Sequence, residues 1–131
     1  MGAVQSAPTA PGDADVTNVF VKEERDGTWT FHVSVAHPDK GFADFADGWD
    51  LVTESGTVLK ADPTQRFTKV LRHPHVKEQP FTRTVKGIQL PSDTQRLTVR
   101  AHDSVGGFGG KEVQVNLQRR FGKNFSVKRA L

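Results

Sequence analysis

The stretch Thr28-Trp29-Thr30-Phe31-His32-Val33-Ser34-Val35-Ala36 decides the fold class. Trp29, Phe31, Val33 and Val35 recur at every second position, with Thr30, His32 and Ser34 between them. Alternation with period two puts one set on a buried face and the other toward water, as in a half-buried β-strand. Shorter runs of the same kind cover residues 16–23, 49–53, 57–60, 67–72, 81–90, 97–102 and 111–117. Arg25-Asp26-Gly27, Glu54-Ser55-Gly56 and the glycine run 106–110 supply turns between them. No stretch carries a helical period. Seven or eight short strands spaced in this way predict an all-β antiparallel sandwich of immunoglobulin or fibronectin-III type. Trp29, Phe31, Val33, Val35, Trp49, Leu51, Leu97, Val99, Val113 and Val115 are its expected core.

A chain of 131 residues suits one domain with one core, and nine phenylalanines and two tryptophans supply the bulk for it. The absence of cysteine excludes disulfides, thiolate metal sites and a cysteine nucleophile. Met1 is the only methionine, which removes a thioether copper(I) site. No apolar run approaches the roughly 18 residues of a membrane-spanning helix.

Three segments are expected. Residues 1–15 read as a disordered leader, rich in Ala, Pro, Gly, Ser and Thr after an added Met1-Gly2 start. That composition resembles the mature start of an exported bacterial protein whose signal peptide has been removed, so a periplasmic or secreted location is expected. Residues 16–117 form the sandwich. Residues 118–131 form a basic tail carrying Arg119, Arg120, Lys123, Lys128 and Arg129 and no acid. Without those five, 13 cations face 15 acids, so the basic character belongs to the tail and a generally basic nucleic-acid-binding face is not supported. The tail is expected to act independently of the sandwich, as a weak contact to a polyanion or anionic surface. A plainer alternative is that Phe121 and Phe125 fold back onto the sandwich.

The densest chemistry lies in residues 73–83, His-Pro-His-Val-Lys-Glu-Gln-Pro-Phe-Thr-Arg. Two prolines hold this segment extended, and residues two apart then project to one side. His73 and His75 could therefore share zinc or copper(II), with His37, His102, Asp39, Asp103 or Glu78 as a further ligand. The plainer reading is that the imidazoles bond to backbone and to Glu78, while Arg72 and Arg83 pair with that carboxylate. Asp39, Asp44, Asp47 and Asp50 do not follow calcium-loop spacing and read as part of a surface loop pinned by phenylalanines. His102-Asp103-Ser104 places three triad residue types side by side, but neighbours on a strand face opposite ways. The glycine run lacks the Lys-Ser/Thr and helix of a phosphate loop.

The blocks His37-Pro38-Asp39-Lys40-Gly41-Phe42, Ala46-Asp47-Gly48-Trp49, His73-Pro74-His75, Glu78-Gln79-Pro80-Phe81-Thr82-Arg83 and residues 103–110 together resemble a family of small uncharacterised exported prokaryotic proteins. The resemblance covers residues 16–117 and brings no activity with it. It departs at Gly106-Gly107, where the family pattern has a histidine, so it implies no metal ligand from that loop.

The leading expectation is a non-enzymatic, exported, monomeric interaction module without a cofactor, whose partner is a protein or small ligand and not a specific nucleic acid. Its candidate surface is His37, His73, His75, Glu78, Arg83 and His102. The alternative is a zinc- or copper(II)-binding domain using His73, His75, His37 and His102.

Overall fold

Ten strands form in the computed structural model, which describes residues 12–130. They are β1 (Asp15–Glu23), β2 (Trp29–Ala36), β3 (Ala46–Thr53), β4 (Val58–Leu59), β5 (Lys69–Val70), β6 (Phe81–Ile88), β7 (Arg96–Asp103), β8 (Val113–Asn116), β9 (Phe121–Gly122) and β10 (Phe125–Lys128). One sheet runs β6-β2-β1-β10-β9 and the other β4-β3-β7-β8, with β5 also paired to β3. The two sheets pack as a β-sandwich. All ten expected core residues are buried, Trp49 and Phe31 among the largest, because the period-two positions of both sheets converge.

Strand order brings the chemistry to one end of the sandwich. Asp15 at the start of β1 pairs with Ala36 at the end of β2, and Phe81 at the start of β6 pairs with Val35. Ala46 at the start of β3 pairs with Asp103 at the end of β7. The segments before β1, between β2 and β3, before β6 and after β7 therefore meet at this end.

Two expectations change. The strand expected over residues 67–72 contracts to Lys69–Val70, because residues 61–68 cross the outer face of the second sheet instead. Asp50 accepts the Thr68 amide, Thr68 Oγ1 accepts the Leu51 amide, and the Phe67 ring lies on Gly48, where a Cβ would come within 2.0 Å of it. The basic tail is not independent of the sandwich: it adds β9 and β10 to the first sheet, and β10 runs parallel to β1. Phe125 and Val127 alternate with Ser126 and Lys128, so the apolar pair enters the core while its neighbours face outward. Asn124 turns the hairpin at φ 65°, a conformation asparagine tolerates better than most residues, and the Phe125 ring lies against bare Gly122. Phe121 stays 73% exposed. At the other end, residues 12–15 of the expected leader are built into the fold, with Ala14 buried and Asp15 in β1. Residues 1–11 of that leader lie outside the described residues.

Phe125→Ala should therefore cost about 3 kcal/mol of unfolding free energy, whereas Phe121→Ala should stay within about 0.5 kcal/mol. Urea denaturation of the two variants checks this. Equal losses would detach β10 from the core.

Candidate metal centre

Asp39 organises the loop between β2 and β3. Its side chain has no exposed surface, and a buried carboxylate is tolerable only when donors surround it. Oδ1 accepts from His37 Nδ1 at 2.6 Å and from the Ala46 amide at 3.1 Å, and Oδ2 accepts the His75 amide at 2.6 Å. The aspartates at 39 and 50 are thus buried anchors, not members of a surface loop, and Phe42 is 71% exposed, meeting only the edge of Phe45 among the rings. Because Nδ1 of His37 gives its hydrogen to Asp39, the lone pair of neutral His37 is on Nε2.

Nε2 faces carboxylates. It lies 2.9 Å from Asp13 Oδ1, 3.6 Å from Asp103 Oδ2 and 3.6 Å from Asp44 Oδ1. The His37 side chain is wholly buried, and Nε2 has no hydrogen-bond partner of acceptable geometry among the described residues. Asp13, His37 and Asp103 each offer a ligand atom, all within 4.8 Å of one another. Asp13 is solvent-exposed and supplies the open side.

The glycine run places two of these groups. Gly12 approaches Gly107 so closely that a Cβ would meet the Gly107 carbonyl at 1.9 Å, and a Cβ on Gly110 would meet the Ala14 carbonyl at 2.1 Å. The Gly12 amide bonds to Gly106 O, and the Val16 amide to Lys111 O. This backbone-to-backbone contact delivers Asp13 to His37. Asp103 ends β7 and accepts the amides of Gly106, Val105 and Asp13. Burial by itself raises the Asp103 carboxyl, but those three amides and neighbouring His37 outweigh it and hold the group below the usual carboxylate range.

The remaining sequence candidates lie elsewhere. His73 is exposed and makes no contact with the centre among the described residues. His75 stacks on Phe81 with ring centroids 3.8 Å apart and its Nε2 accepts from Arg83 Nη2 at 2.8 Å, while its Nδ1 is buried without a partner and lies outside the Asp13, His37 and Asp103 group. Glu78 reaches the same guanidinium at 3.4 Å, and Gln79 accepts the His37 amide while donating to His75 O. The His-Pro-His segment therefore supports His37 through Asp39 and Gln79 rather than forming a site itself. Burial, then the Arg83 charge, depress the His75 pKa against the pull of Asp39 and Glu78. His102 turns to the outer face of its sheet, donates from Nδ1 to Asp47 at 2.6 Å and packs on Phe67 and Phe108. Ser104 accepts the Phe45 amide, so His102, Asp103 and Ser104 bond to three different partners. Of the five tail cations, Arg129 is engaged by Glu23 and Leu117 O, while Arg119, Arg120, Lys123 and Lys128 are exposed.

The sequence offers His37 and Asp103 as ligand candidates beside His73 and His75, whereas in space they lie with Asp13. Sequence reading misses Asp13, which it assigns to the leader. Its only signal was the glycine run, whose bareness demands another backbone close by.

No protein-family model matches the chain, and no solved structure matches it at a significant level. A protein of Halomicrobium mukohataei named "Putative lipoprotein" is 30% identical over 106 residues, 81% of this chain. The chain spans about half, 48%, of that relative's length.

Asp103→Asn replaces an acceptor of three amides by a group with one acceptor atom and should destabilise the fold by about 2 kcal/mol. Because the folded-state pKa is lowered, the carboxylate contributes fully above its ordinary value of 3.8 and loses that contribution as pH falls through the lowered one. The variant's stability should fall less steeply in that acid range, as denaturation at stepped pH would show.

The depressed pKa of His75 works in the same direction: its contribution is present above the ordinary 6.5 and is lost on acidification, as the unfolded chain takes up the proton first. Arg83→Gln should move the His75 titration midpoint upward, read from its ring proton shifts by NMR. An unmoved midpoint would show that the guanidinium does not act on the ring.

Proposed function

We propose that this chain is an exported β-sandwich domain that binds one divalent transition-metal ion, zinc first, through Asp13, His37 and Asp103, with Asp44 beside them. The observation that carries this is the buried, unpartnered Nε2 of His37, turned toward three carboxylates by the Asp39 hydrogen bond on Nδ1. A carboxylate on the far nitrogen of a metal-bound imidazole fixes its tautomer and raises its basicity. Tetrahedral zinc with ligands near 2.0–2.1 Å sets neighbouring ligand atoms about 3.3 Å apart. The separations of 2.9, 3.6 and 3.6 Å from Nε2 bracket that value. Three carboxylates around a neutral imidazole leave a charge that a dication reduces by two and a proton by only one.

Export is supported by the lipoprotein relative. An immunoglobulin or fibronectin-III kinship is supported by the strand partition: β1, β2 and β6 lie in one sheet and β3, β7 and β8 in the other, the division of strands A, B, E and C, F, G.

Calorimetric titration of metal-stripped protein with zinc should give one saturable site, with affinity falling as pH falls because Nε2 must be free of its proton. Zinc at a hundred times its Kd should stabilise the fold by about 2.7 kcal/mol and raise Tm by roughly 10 °C. His37→Gln should abolish both effects, and His73→Gln should leave them intact. Loss of binding in the His73 variant, or none in wild type, sinks the assignment.

A further inference from the structure

We infer that the outer face of the first sheet binds an acidic glycan, one carrying sulfate or carboxylate groups. The face lies away from the metal centre and does not depend on it. Lys22 stands seven residues along β1 from Asp15, about 23 Å at the rise of an extended strand.

Cross-strand register builds the surface. Lys22 pairs with Thr30 on one side and with Lys128 on the other. The bulge in β6 between the partners of Trp29 and Phe31 sets Lys86 beside Thr30. Lys86, Thr30, Lys22 and Lys128 thus form one row across four strands, with buried Thr30 as its floor. The row borders a groove of about 760 Å³ that Arg25 also lines. Among the described residues Arg25, Lys86 and Lys128 have no ion pair, whereas Glu24 is engaged by Thr30 at 2.6 Å and Lys22 at 3.6 Å. Glu23 is likewise committed, to Arg129 and the Ala130 amide. Asp26 also lines the groove and is bonded only to Thr28, so one carboxylate without an ion pair stands against the three unpaired cations and the groove's free charge is positive.

The next row mixes hydroxyls with rings, and the one after it is wholly polar. Thr84, His32, Phe20, Ser126 and Phe121 follow one another across five strands, and Thr82, Ser34 and Asn18 follow across three. A hydroxyl offers one donor and two acceptor positions, so Ser34 and Thr82, bonded to each other at 2.6 Å, retain capacity for a ligand. Hydroxyls and an amide interleaved with rings, and ending in a lysine row, complement a sugar chain bearing anions. Single-stranded nucleic acid needs free ring faces for its bases. Here Phe20 is covered by His32, with centroids 5.4 Å apart at 20°, and Phe121 alone is largely open. A membrane surface needs a broad apolar face, and here Thr82, Ser34, Asn18, Thr84 and Ser126 separate Phe20 and Phe121 from any further apolar group on the face.

The test is fluorescence anisotropy of a labelled, sulfated heparin octasaccharide with the full chain at low and moderate salt. Saturable binding that weakens with salt is expected. Lys86→Gln with Lys128→Gln should raise Kd at least tenfold, and Lys77→Gln with Lys111→Gln, the same charge change elsewhere, should alter it less than twofold. Circular dichroism establishes that both doubles are folded. Equal weakening in the two doubles overturns the site in favour of bulk charge. Absence of octasaccharide binding, or equal or tighter binding to a single-stranded oligonucleotide of matched charge or to phosphatidylglycerol vesicles, overturns the glycan.

Discussion

The Asp39 carboxylate has no exposed surface, and an ionised carboxylate so placed must be surrounded by donors or be lost to protonation. It draws them from three stretches: the imidazole of His37, the amide that opens β3, and the amide of His75 in the segment before β6. Satisfying one buried charge therefore fixes the loop end of the sandwich. It also decides the tautomer of His37, and through it where that ring's remaining lone pair points.

That lone pair creates a second demand. Around His37 Nε2 lie Asp13, Asp44 and Asp103, and Asp39 is on the opposite nitrogen. Two unit charges 4 Å apart interact by about 4 kcal/mol at an effective dielectric near 20. Asp13 and Asp103, whose ligand atoms lie within 4.8 Å of each other, repel at that distance unless something positive sits between them. The fold nevertheless spends two devices on assembling them: three amides on Asp103, and a glycine run bare enough for residues 12–14 to lie against it. Arrangements that concentrate negative charge by such means are explained by a cation more economically than by packing.

The sheets were legible because period-two alternation survives in β2, β7 and most of β1, and turn residues separate the strands. Trp29, Phe31, Val33 and Val35 need nothing beyond their own spacing to be placed in the core. The tail carried the same signal in Phe125-Ser126-Val127-Lys128, but the density of cations around it suggested an amphipathic surface segment. The centre was harder. His37 and Asp103 are 66 positions apart and meet only through the β3–β7 pairing, and Asp13 arrives by backbone contact with glycines. Local spacing favoured His73 and His75, two apart in an extended segment. The proximity it promised is real in sequence but cancelled in space, because Arg83 and Phe81 occupy His75.

The two outer faces of the sandwich are treated differently by the same chain. On the second sheet, Gly48 leaves room for Phe67, Arg100 lies 4.0 Å over the Phe108 ring, and Asp50 ties residues 61–68 down. That face is closed by its own loops. On the first sheet the connections pass around the edges, and β9 and β10 widen the sheet instead of covering it. The added strands also bring Lys128 into line with Lys22. A terminal hairpin needed only for stability could have capped an edge with any polar residues. This one extends an uncovered, hydroxyl-rich face and places cations along it, so the hairpin that completes the core also completes the surface.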